Sequence, residues 1–357
     1  MNRILILALS GIGDALMFTP AIKLLRKALP EAKIDALTMF KGAKEMYERN
    51  SNLSEALYFD FLHRSKIESL KYVLSLRNKY DAAINIYPSN RKEYNAINYL
   101  IGARKRAGVK YLRMDFENLG FLNNIRIIED DSRHNVETNI MLVEKLLNTQ
   151  FSEQPKLEFP LKDEDENYAA GFLNDKGIKE GDIVIGFHPG SATLKNHINR
   201  RWEPEKFAAL GKRLINEIGA NIFIFGGPEE DDLKSSIKKM IGLQSAYEIK
   251  TASLPQGLGL IKRCNLFVSN DSSMMHIASS LERKVVAVIG PTNTSYIHPW
   301  KTKYKIASLN LECSPCFFYS PKPLLCKRTD LKYKCIKELD VDYVYREVIE
   351  LLKSKQE

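Results

Sequence analysis

Short apolar runs alternate along the chain with amphipathic segments. The first run covers residues 4–9. A polar loop at 10–14 separates it from Thr19-Pro20, where threonine as N-cap and proline in the first turn are typical of a helix start. Apolar strands that alternate with helices favour a parallel, doubly wound sheet. The same pattern predicts strands at 34–38, 82–86, 183–187, 221–225, 266–269 and 285–289, and helices at 204–218 and about 341–352.

The charged stretch 159–182 divides the chain into two such series. A chain of 357 residues is too long for one ordinary core and suits two domains. With 44% hydrophobic and 27% charged residues, the composition excludes collagen-like, disordered and membrane-spanning classes. The apolar N-terminus contains Asp14 where a cleavage region would be neutral, so we interpret it as a strand and not as a signal peptide. We therefore expect two nucleotide-fold domains with a ligand cleft between them, in a cytoplasmic protein.

The net charge of +9 is concentrated in one segment, residues 61–113. That segment holds only three acidic residues, so its own balance is also +9. A basic region of this kind favours an anionic partner: nucleic acid, a phosphorylated glycan or an acidic membrane surface. For any single lysine, a solvated face is the simpler explanation. The twelve basic residues are Arg64, Lys66, Lys71, Arg77, Lys79, Arg91, Lys92, Arg104, Lys105, Arg106, Lys110 and Arg113.

Two patterns in the sequence bear on metal binding. Near the C-terminus, the spacing C-x2-C-x9-C-x8-C is compatible with a structural zinc or iron ion held by four thiolates, although it is not a standard zinc-finger spacing. Reduced buried thiols, or disulfides in an oxidising compartment, are the alternatives. Two D-x-D triplets, at 163–165 and 340–342, lie in charged or helical context, so we do not expect a metal-bridged diphosphate. The four cysteines are Cys313, Cys316, Cys326 and Cys335.

The loop after the first strand offers a candidate general base. Its sequence SGIGD begins like a dinucleotide fingerprint, but Leu16 occupies the position of the third glycine, and the sequence has no G-x-x-x-x-G-K-[ST] motif. Asp14 would repel a pyrophosphate, whereas a carboxylate at the mouth of a cleft can accept a proton from a substrate. The alternative is that Asp14 only caps the following helix.

Three segments in the second half are suited to binding a nucleotide. Residues 188–193 are small and follow a strand, and the guanidinium groups of Arg200 and Arg201 come shortly after them. Residues 269–276 predict a strand end and a helix start, which can hold a diphosphate; a plain N-cap and a structural histidine are the alternatives. Glu229 or Glu230 can accept hydrogen bonds from ribose hydroxyls, unless these residues only start a surface helix.

Taken together, these loops resemble glycosyltransferase family 9, the ADP-heptose:lipopolysaccharide heptosyltransferase-like enzymes. The matching segments are RILILALSGIGDALMFTPAI, RHNVETNIMLVEKL, IGFHPGSA, RRWEPEKFAAL, IFIFGGPEE, FVSNDSSMMHIASSL and VAVIGPTN, and they span nearly the whole chain. The resemblance implies a GT-B fold of class α/β, with two Rossmann-like doubly wound domains facing across a cleft. It implies an acceptor-binding domain at 1–160, a nucleotide-sugar domain at 161–340, and a helix at 341–357 that crosses back onto the N-terminal domain.

The resemblance also implies an inverting transfer that uses no catalytic metal. Asp14 matches the family's general base, and Arg200 stands where many members have lysine, which keeps the charge but changes the shape of the head group. The family's donor-binding positions correspond to Ser191, Arg200, Arg201, Glu229 or Glu230, Asp271, Ser272, Ser273, Met274 and His276. For the acceptor we expect Gly13, Arg64, Lys66, Arg91 and Arg113.

The partners implied are a nucleotide sugar, ADP-heptose, and an anionic glycan or lipid-linked acceptor. Such an acceptor would bring the protein into peripheral contact with the cytoplasmic face of the inner membrane, and we expect no nucleic acid. Two other functions stay open. The basic region 61–113 could bind nucleic acid, although no known nucleic-acid motif is present. The same fold could also act as a non-catalytic sensor of nucleotide sugars, while the missing third glycine makes a nicotinamide dehydrogenase the weakest alternative.

Overall fold

The computed structural model describes residues 1–192, 194–318 and 323–354. Within these ranges the chain forms two compact units. The first consists of Met1–Pro160 together with Ser295–Ile297, and the second of Leu161–Thr294, His298–Phe318 and residues 323–354. Among the helices described, none is long and apolar enough to cross a membrane.

The sheet of the first unit consists of parallel strands. In chain order they are β1 (Arg3–Ala8), β2 (Lys33–Thr38), β3 (Glu55–Tyr58), β4 (Ala82–Asn85), β5 (Lys105–Lys110) and β6 (Ile125–Ile128). Their order in the sheet is β3-β2-β1-β4-β5-β6, and Ile4 of β1 pairs with Ile34 on one side and Ala82 on the other. All of β1 except Arg3 is buried, because a parallel sheet covered on both faces needs apolar side chains in both directions.

Helices cover this sheet. They are α1 (Ile12–Met17), α2 (Thr19–Ala28), α3 (Lys41–Glu48), α4 (Lys66–Ser75), α5 (Lys92–Leu100) and α6 (Asn135–Leu147), with a 3-10 helix at Gly120–Leu122. One face of the sheet lies under α4 and α5, since Val73 of α4 and Tyr94 of α5 share a core cluster with Leu5 and Leu7 of β1. The helices α2 and α6 contact each other.

The sheet of the second unit repeats the same connectivity. Its strands are β7 (Val184–His188), β8 (Asn221–Ile224), β9 (Ala246–Glu248), β10 (Leu266–Asn270), β11 (Lys284–Val288) and β12 (Tyr304–Ala307). They are parallel and follow the order β12-β11-β10-β7-β8-β9. Counted within each unit, both sheets therefore have the strand order of a dinucleotide-binding fold. The expected α/β class with two Rossmann-like, doubly wound domains is confirmed.

The remaining helices are α7 (Asp163–Asp175), α8 (Pro204–Ile218), α9 (Asp231–Ile241), α10 (Leu254–Lys262), α11 (Ser273–Ser280), α12 (Thr294–Ile297), α13 (Lys334–Lys337) and α14 (Val341–Lys353). Short 3-10 helices cover Leu194–Arg200 and Pro228–Glu230. The D-x-D triplets lie at helix starts: Asp165 Oδ2 accepts from the backbone N–H of Lys162 before α7 at 2.9 Å, and Asp340 caps α14.

The last helix corrects one expectation. We expected residues 341–357 to cross back onto the N-terminal domain, but the described part of this helix belongs to the second unit. Its apolar face, Val344, Val348 and Leu351, is buried in the core cluster of that unit together with Val286 of β11. A helix is held by the surface that buries its apolar stripe, and here that surface is β10, β11 and β12 with α8.

Two local predictions near the N-terminus also differ from the structure. The predicted loop 10–14 is shorter, because α1 already begins at Ile12. Thr19 is not the N-cap of the next helix; Phe18 occupies that position, and the Thr19 hydroxyl donates to the carbonyl of Leu16 at 2.8 Å. The Thr19 side chain therefore bonds back to α1, and the first turn of α2 has no side-chain cap.

Candidate functional site

Each sheet has one point where ligand binding is expected from topology alone. In a doubly wound sheet, ligands bind outside the carboxyl ends of the strands at the switch point, the place where the strand order reverses. In the first unit this point lies between β1 and β4, and in the second between β7 and β10. The residues that follow these four strands are the ones to compare with the sequence predictions.

Asn270, the last residue of β10, joins the loops at the switch point of the second unit. Its Nδ2 donates to the carbonyl of Pro189 after β7 at 2.7 Å, and its Oδ1 accepts from the backbone N–H of Trp202 at 3.0 Å. Trp202 is fully buried, and its indole N–H donates to the carbonyl of Leu339 at 2.8 Å. The loop 188–192 and the segment that carries the two arginines are thereby fixed to the end of the same sheet. Thr193, the last residue of the predicted loop, lies outside the described residues.

A buried ion pair lies next to this junction. Arg200 Nη1 donates to Asp271 Oδ2 at 2.5 Å, and the same oxygen accepts from the Thr292 hydroxyl at 2.5 Å. The guanidinium lies 5.3 Å from the ring centre of Phe317, while its Nε is buried and, within the described ranges, makes no hydrogen bond. Because an unpaired buried N–H costs free energy, this donor is available to an anionic ligand.

Arg201 belongs to a second buried network. Its Nε donates to Ser191 Oγ at 3.2 Å, and its Nη2 donates to the Ser191 carbonyl at 2.5 Å and to Glu230 Oε1 at 3.0 Å. Glu230 Oε2 lies 3.2 Å from His188 Nε2, and His188 Nδ1 lies 2.9 Å from Ser272 Oγ. A carboxylate only accepts, so His188 donates from Nε2 to Glu230, and its Nδ1 shares a hydrogen bond with the Ser272 hydroxyl. The chain from Arg201 to Ser272 thus ties together the loops after β7, β8 and β10.

Glu230 and Glu229 occupy different environments. Glu230 is buried; burial by itself would raise the pKa of its carboxyl, but the hydrogen bond and charge of His188 and the charge of Arg201 outweigh burial and lower it. A Cβ on Gly190 would lie 1.7 Å from Glu230 Oε1, so the carboxylate fits only because residue 190 is glycine. Glu229 is exposed. Glu230 therefore organises the loop, and Glu229 is the one of the two that is open to a ribose.

The start of α11 carries the other predicted donor residues. Ser272 is its N-cap and accepts from the backbone N–H of Met274 at 3.3 Å, and Ser273 is the first helical residue. His276, one turn further on, is buried. Burial lowers its pKa to about 4, against the opposing charge of Asp271, and its Nδ1 has no hydrogen-bond partner within the described residues. His276 is therefore neutral near pH 7 and adds no charge at this helix start.

In the first unit, Asp14 lies in the first turn of α1 and is half-buried. The N-cap of this helix is Gly11, so Asp14 is the third residue of α1 and not its N-cap. Buried tyrosines surround it: burial raises the pKa of Tyr47, Tyr94 and Tyr111, and the negative charge of Asp14 adds to the rise in each case. Asp14 is thus a carboxylate at the carboxyl end of β1 with buried phenols as neighbours.

The sequence did not single out the residues after β4. Ser89 and Asn90 are buried there, and within the described part of the chain Ser89 Oγ and Asn90 Oδ1 have no hydrogen-bond partner; the same holds for Ser10 Oγ after β1. The Ser89 backbone N–H donates to the hydroxyl of Tyr111 at 2.5 Å. Buried polar atoms without partners at a switch point are suited to ligand hydroxyls. Two polar residues that follow the predicted strand 82–86 after Tyr87-Pro88 were the signal that could have revealed them.

The predicted acceptor residues are not all at this switch point. Gly13 is buried within α1, and Arg91 directly precedes α5, with its guanidinium 5.8 Å from the ring centre of Tyr94. Arg113 is engaged by Asp131 at 3.0 and 2.5 Å, and this hydrogen-bonded arginine lowers the pKa of the Asp131 carboxyl. Arg64 and Lys66 come instead at the start of α4, after β3, the outermost strand of the sheet.

The family model of glycosyltransferase family 9 (heptosyltransferase) matches residues 70–324, which is more than half of the chain. This chain belongs to glycosyltransferase family 9. It is therefore an enzyme of the transferase class, as the resemblance of its loops implies.

Individual family members agree with this assignment. The lipooligosaccharide heptosyltransferase 2 of Campylobacter jejuni serotype O:6 is 26% identical over 354 residues, which cover 95% of this chain and 96% of that protein. The crystal structure of a family 9 glycosyltransferase from Veillonella parvula matches with a TM-score of 0.79 at 22% identity, covering 98% and 97% of the two chains. The Escherichia coli ADP-heptose lps heptosyltransferase II matches with a TM-score of 0.74 at 22% identity, covering 98% of each chain. The structural matches show a shared fold.

The late cysteines of this family 9 enzyme do not support the predicted structural metal. Cys313, Cys316, Cys326 and Cys335 are all described and are free thiols, so the disulfide alternative does not apply either. No group of three or more His, Cys, Asp or Glu side chains in the described ranges is placed to hold a metal ion. Burial raises the pKa of Cys316 and that of Cys335, the latter to about 11, and the charges of the other late cysteines add to the rise.

Proposed function

We propose that this enzyme transfers a heptose from ADP-heptose to a hydroxyl of a lipopolysaccharide-core or related glycan acceptor. The names of its relatives support both substrates, since one is a lipooligosaccharide heptosyltransferase and another an ADP-heptose lps heptosyltransferase. A lipid-linked acceptor places the enzyme in peripheral contact with the cytoplasmic face of the inner membrane. The proposal includes inversion at the anomeric carbon and a reaction without a catalytic metal.

The observation that carries the proposal is the pair of guanidinium groups, one buried and one half-buried, at the switch point of the second unit. Among the described residues Arg200 Nε has no partner, and Arg201 is held by Ser191 and Glu230. As the bond between the anomeric carbon and the diphosphate breaks, the leaving ADP takes the electron pair and gains negative charge. Preorganised cations and the amino end of α11 stabilise such charge, and Arg200 loses little further solvation because it is already buried. Exposed Glu229 remains for the ribose.

Asp14 supplies the base in this scheme. The acceptor hydroxyl attacks the anomeric carbon from the face opposite the diphosphate and gives its proton to the Asp14 carboxylate. A single displacement of this kind inverts the configuration. Ser10, Ser89 and Asn90 present polar atoms for the other hydroxyls of the acceptor, and Arg91 adds positive charge nearby for an acidic or phosphorylated sugar.

Donor choice and stereochemistry can be tested together. The purified enzyme is incubated with a heptosyl-deficient lipopolysaccharide acceptor and ADP-heptose, UDP-glucose or GDP-mannose, and the product linkage is determined by NMR. Transfer from ADP-heptose alone, with inverted anomeric configuration, is the expected result. Transfer from another nucleotide sugar would overturn the heptose assignment, and a retained configuration would overturn the single displacement. No transfer, combined with a melting-temperature shift by ADP, would favour a non-catalytic sensor.

A further inference from the structure

Helix α4 carries an apolar face that points away from the core of its unit. Val73 is buried in the core, whereas Ile67, Leu70 and Leu74 are 68%, 47% and 41% exposed. An α-helix turns by about 100° per residue, so the three exposed side chains fall within about 60° of one another, on the side opposite to the core-facing positions. Leu62, in the turn before the helix, is 56% exposed as well. We call these four side chains the α4 stripe.

Exposed cations flank the α4 stripe. Lys66 and Lys71 lie on opposite sides of it in the helical projection, and Arg64 and Arg77 lie beyond its two ends. All four belong to segment 61–113, whose balance of +9 equals the net charge of the whole chain. A helix with an apolar face and lysines along its flanks is typical of a helix that lies in the interface of an anionic bilayer.

The neighbouring helix extends this surface. α5 covers the same face of the sheet as α4, and its Tyr99 is 51% exposed, with the Arg106 guanidinium 5.3 Å from the ring centre. Tyrosine beside a cation suits the level of lipid head groups, where the ring is apolar and the hydroxyl remains hydrated.

We propose that the α4 stripe binds the surface of an anionic lipid bilayer. Its four apolar side chains reach the boundary of the acyl chains, and the flanking cations contact lipid phosphates. A second copy of this chain suits the surface less well, because a two-fold pairing would bring the same cations together. The membrane contact is inferred from the geometry of α4. The presence of a lipid-linked acceptor in the same membrane rests on the proposed function.

Flotation with vesicles tests the contact. Wild-type enzyme is expected to float with phosphatidylcholine vesicles that contain phosphatidylglycerol and not with phosphatidylcholine alone. The double variant Ile67→Gln/Leu70→Gln is expected to bind the anionic vesicles at least about tenfold more weakly, because it removes two apolar side chains that the bilayer would bury. Removing the charges in Lys71→Gln/Arg77→Gln is expected to weaken binding by about fivefold for each charge.

Matched controls come from the second unit. Met240→Gln/Leu325→Gln removes two exposed apolar side chains, and Lys238→Gln/Lys239→Gln removes two exposed charges; both are expected to bind vesicles like wild type. Transfer to an acceptor that lacks its lipid is measured beside binding, and Ile67→Gln/Leu70→Gln is expected to leave it unchanged. A wild type that binds vesicles but transfers nothing would overturn the proposed function and leave the contact intact.

Two results would overturn the membrane contact. One is that the wild-type enzyme does not bind anionic vesicles. The other is that the Ile67→Gln/Leu70→Gln variant binds them as well as wild type does. If, in addition, this variant converts a dimer into a monomer in sedimentation experiments, the partner of the stripe is a second copy of this chain.

Discussion

Arg200 and Asp271 form a buried ion pair of 2.5 Å at the point where the strand order of the second sheet reverses. The carboxylate is shared with the Thr292 hydroxyl, and the guanidinium retains a buried Nε without a partner in the described residues. The pair therefore places a cation with one spare donor at the proposed diphosphate site. A ligand that brings negative charge to this donor would complete its hydrogen bonding.

We expect Asp271→Asn to destabilise the enzyme by about 3–5 kcal/mol, because it leaves the buried Arg200 without its counter-charge. Saturating ADP should recover part of this loss, since its diphosphate supplies the missing charge. Urea unfolding with and without ADP measures both effects. Glu180→Gln is the control, because it removes an exposed carboxylate of the same unit. If Asp271→Asn unfolds at the same urea concentration as wild type, the ion pair does not hold this site together.

We expect Asp14→Asn to lower kcat by about 10²–10⁴-fold, the usual contribution of a general base. The amide keeps the shape of the side chain but cannot accept the proton, so the affinity for ADP should stay unchanged. Steady-state kinetics and calorimetric titration with ADP separate the two effects. Glu31→Gln, an exposed acid in the same unit, should behave like wild type. A kcat that survives in Asp14→Asn contradicts the role of this carboxylate.

We expect Gly190→Ala to raise KM for the donor and to destabilise the second unit. The added Cβ would lie 1.7 Å from Glu230 Oε1, and the carboxylate must then release Arg201 or His188. The matched control is Gly171→Ala in α7, where an added Cβ meets nothing within 4 Å. That substitution should stabilise the enzyme by about 0.5–1 kcal/mol, because alanine is the better helix former. Equal melting temperatures for the two variants would argue against the close packing of Glu230 on Gly190.

We expect stability to fall as the pH drops from 6.5 towards 4, in part because of His276. Burial lowers its pKa to about 4 from 6.5, so in this window the unfolded chain binds a proton that the folded chain does not. The stabilisation is present above pH 6.5 and is lost by about pH 4; a difference of this size corresponds to about 3 kcal/mol. Unfolding by urea at a series of pH values measures the slope. His276→Gln should flatten the curve, and a curve that keeps its slope in this variant would contradict the role of His276.

Much of the fold could be predicted from local patterns. The helix 204–218 has the bounds of α8, since Pro204 starts it and its apolar positions repeat with helical spacing. By contrast, the strand β5 escaped prediction because its sequence, KRAGVK, begins and ends with charged residues that point away from the core. Its place in the sheet depends on pairing with β4 and β6, which no local pattern records.

The candidate site divides in the same way. The loops after β1, β7 and β10 were recognisable, because small and polar residues directly after a buried strand are a local feature. Ser89 and Asn90 were not recognised, since their significance is that Ser89 Oγ and Asn90 Oδ1 are buried with no partner in the described part of the chain, and burial is set by the surrounding layers. The structural metal predicted for the four cysteines is not supported, since no group of side chains in the described ranges is placed to hold a metal ion.

The sequence by itself determined the α/β class, the two doubly wound domains and the family. These features depend on strand and helix periodicity and on an ordered set of loop motifs, and each such pattern lies within a short stretch of the chain. Only the tertiary structure decided that Glu230 is buried in a network while Glu229 is exposed, that Arg200 pairs with Asp271, and that the last helix belongs to the second unit. Each of these depends on contacts between segments far apart in the chain, and such contacts form only when the whole domain packs.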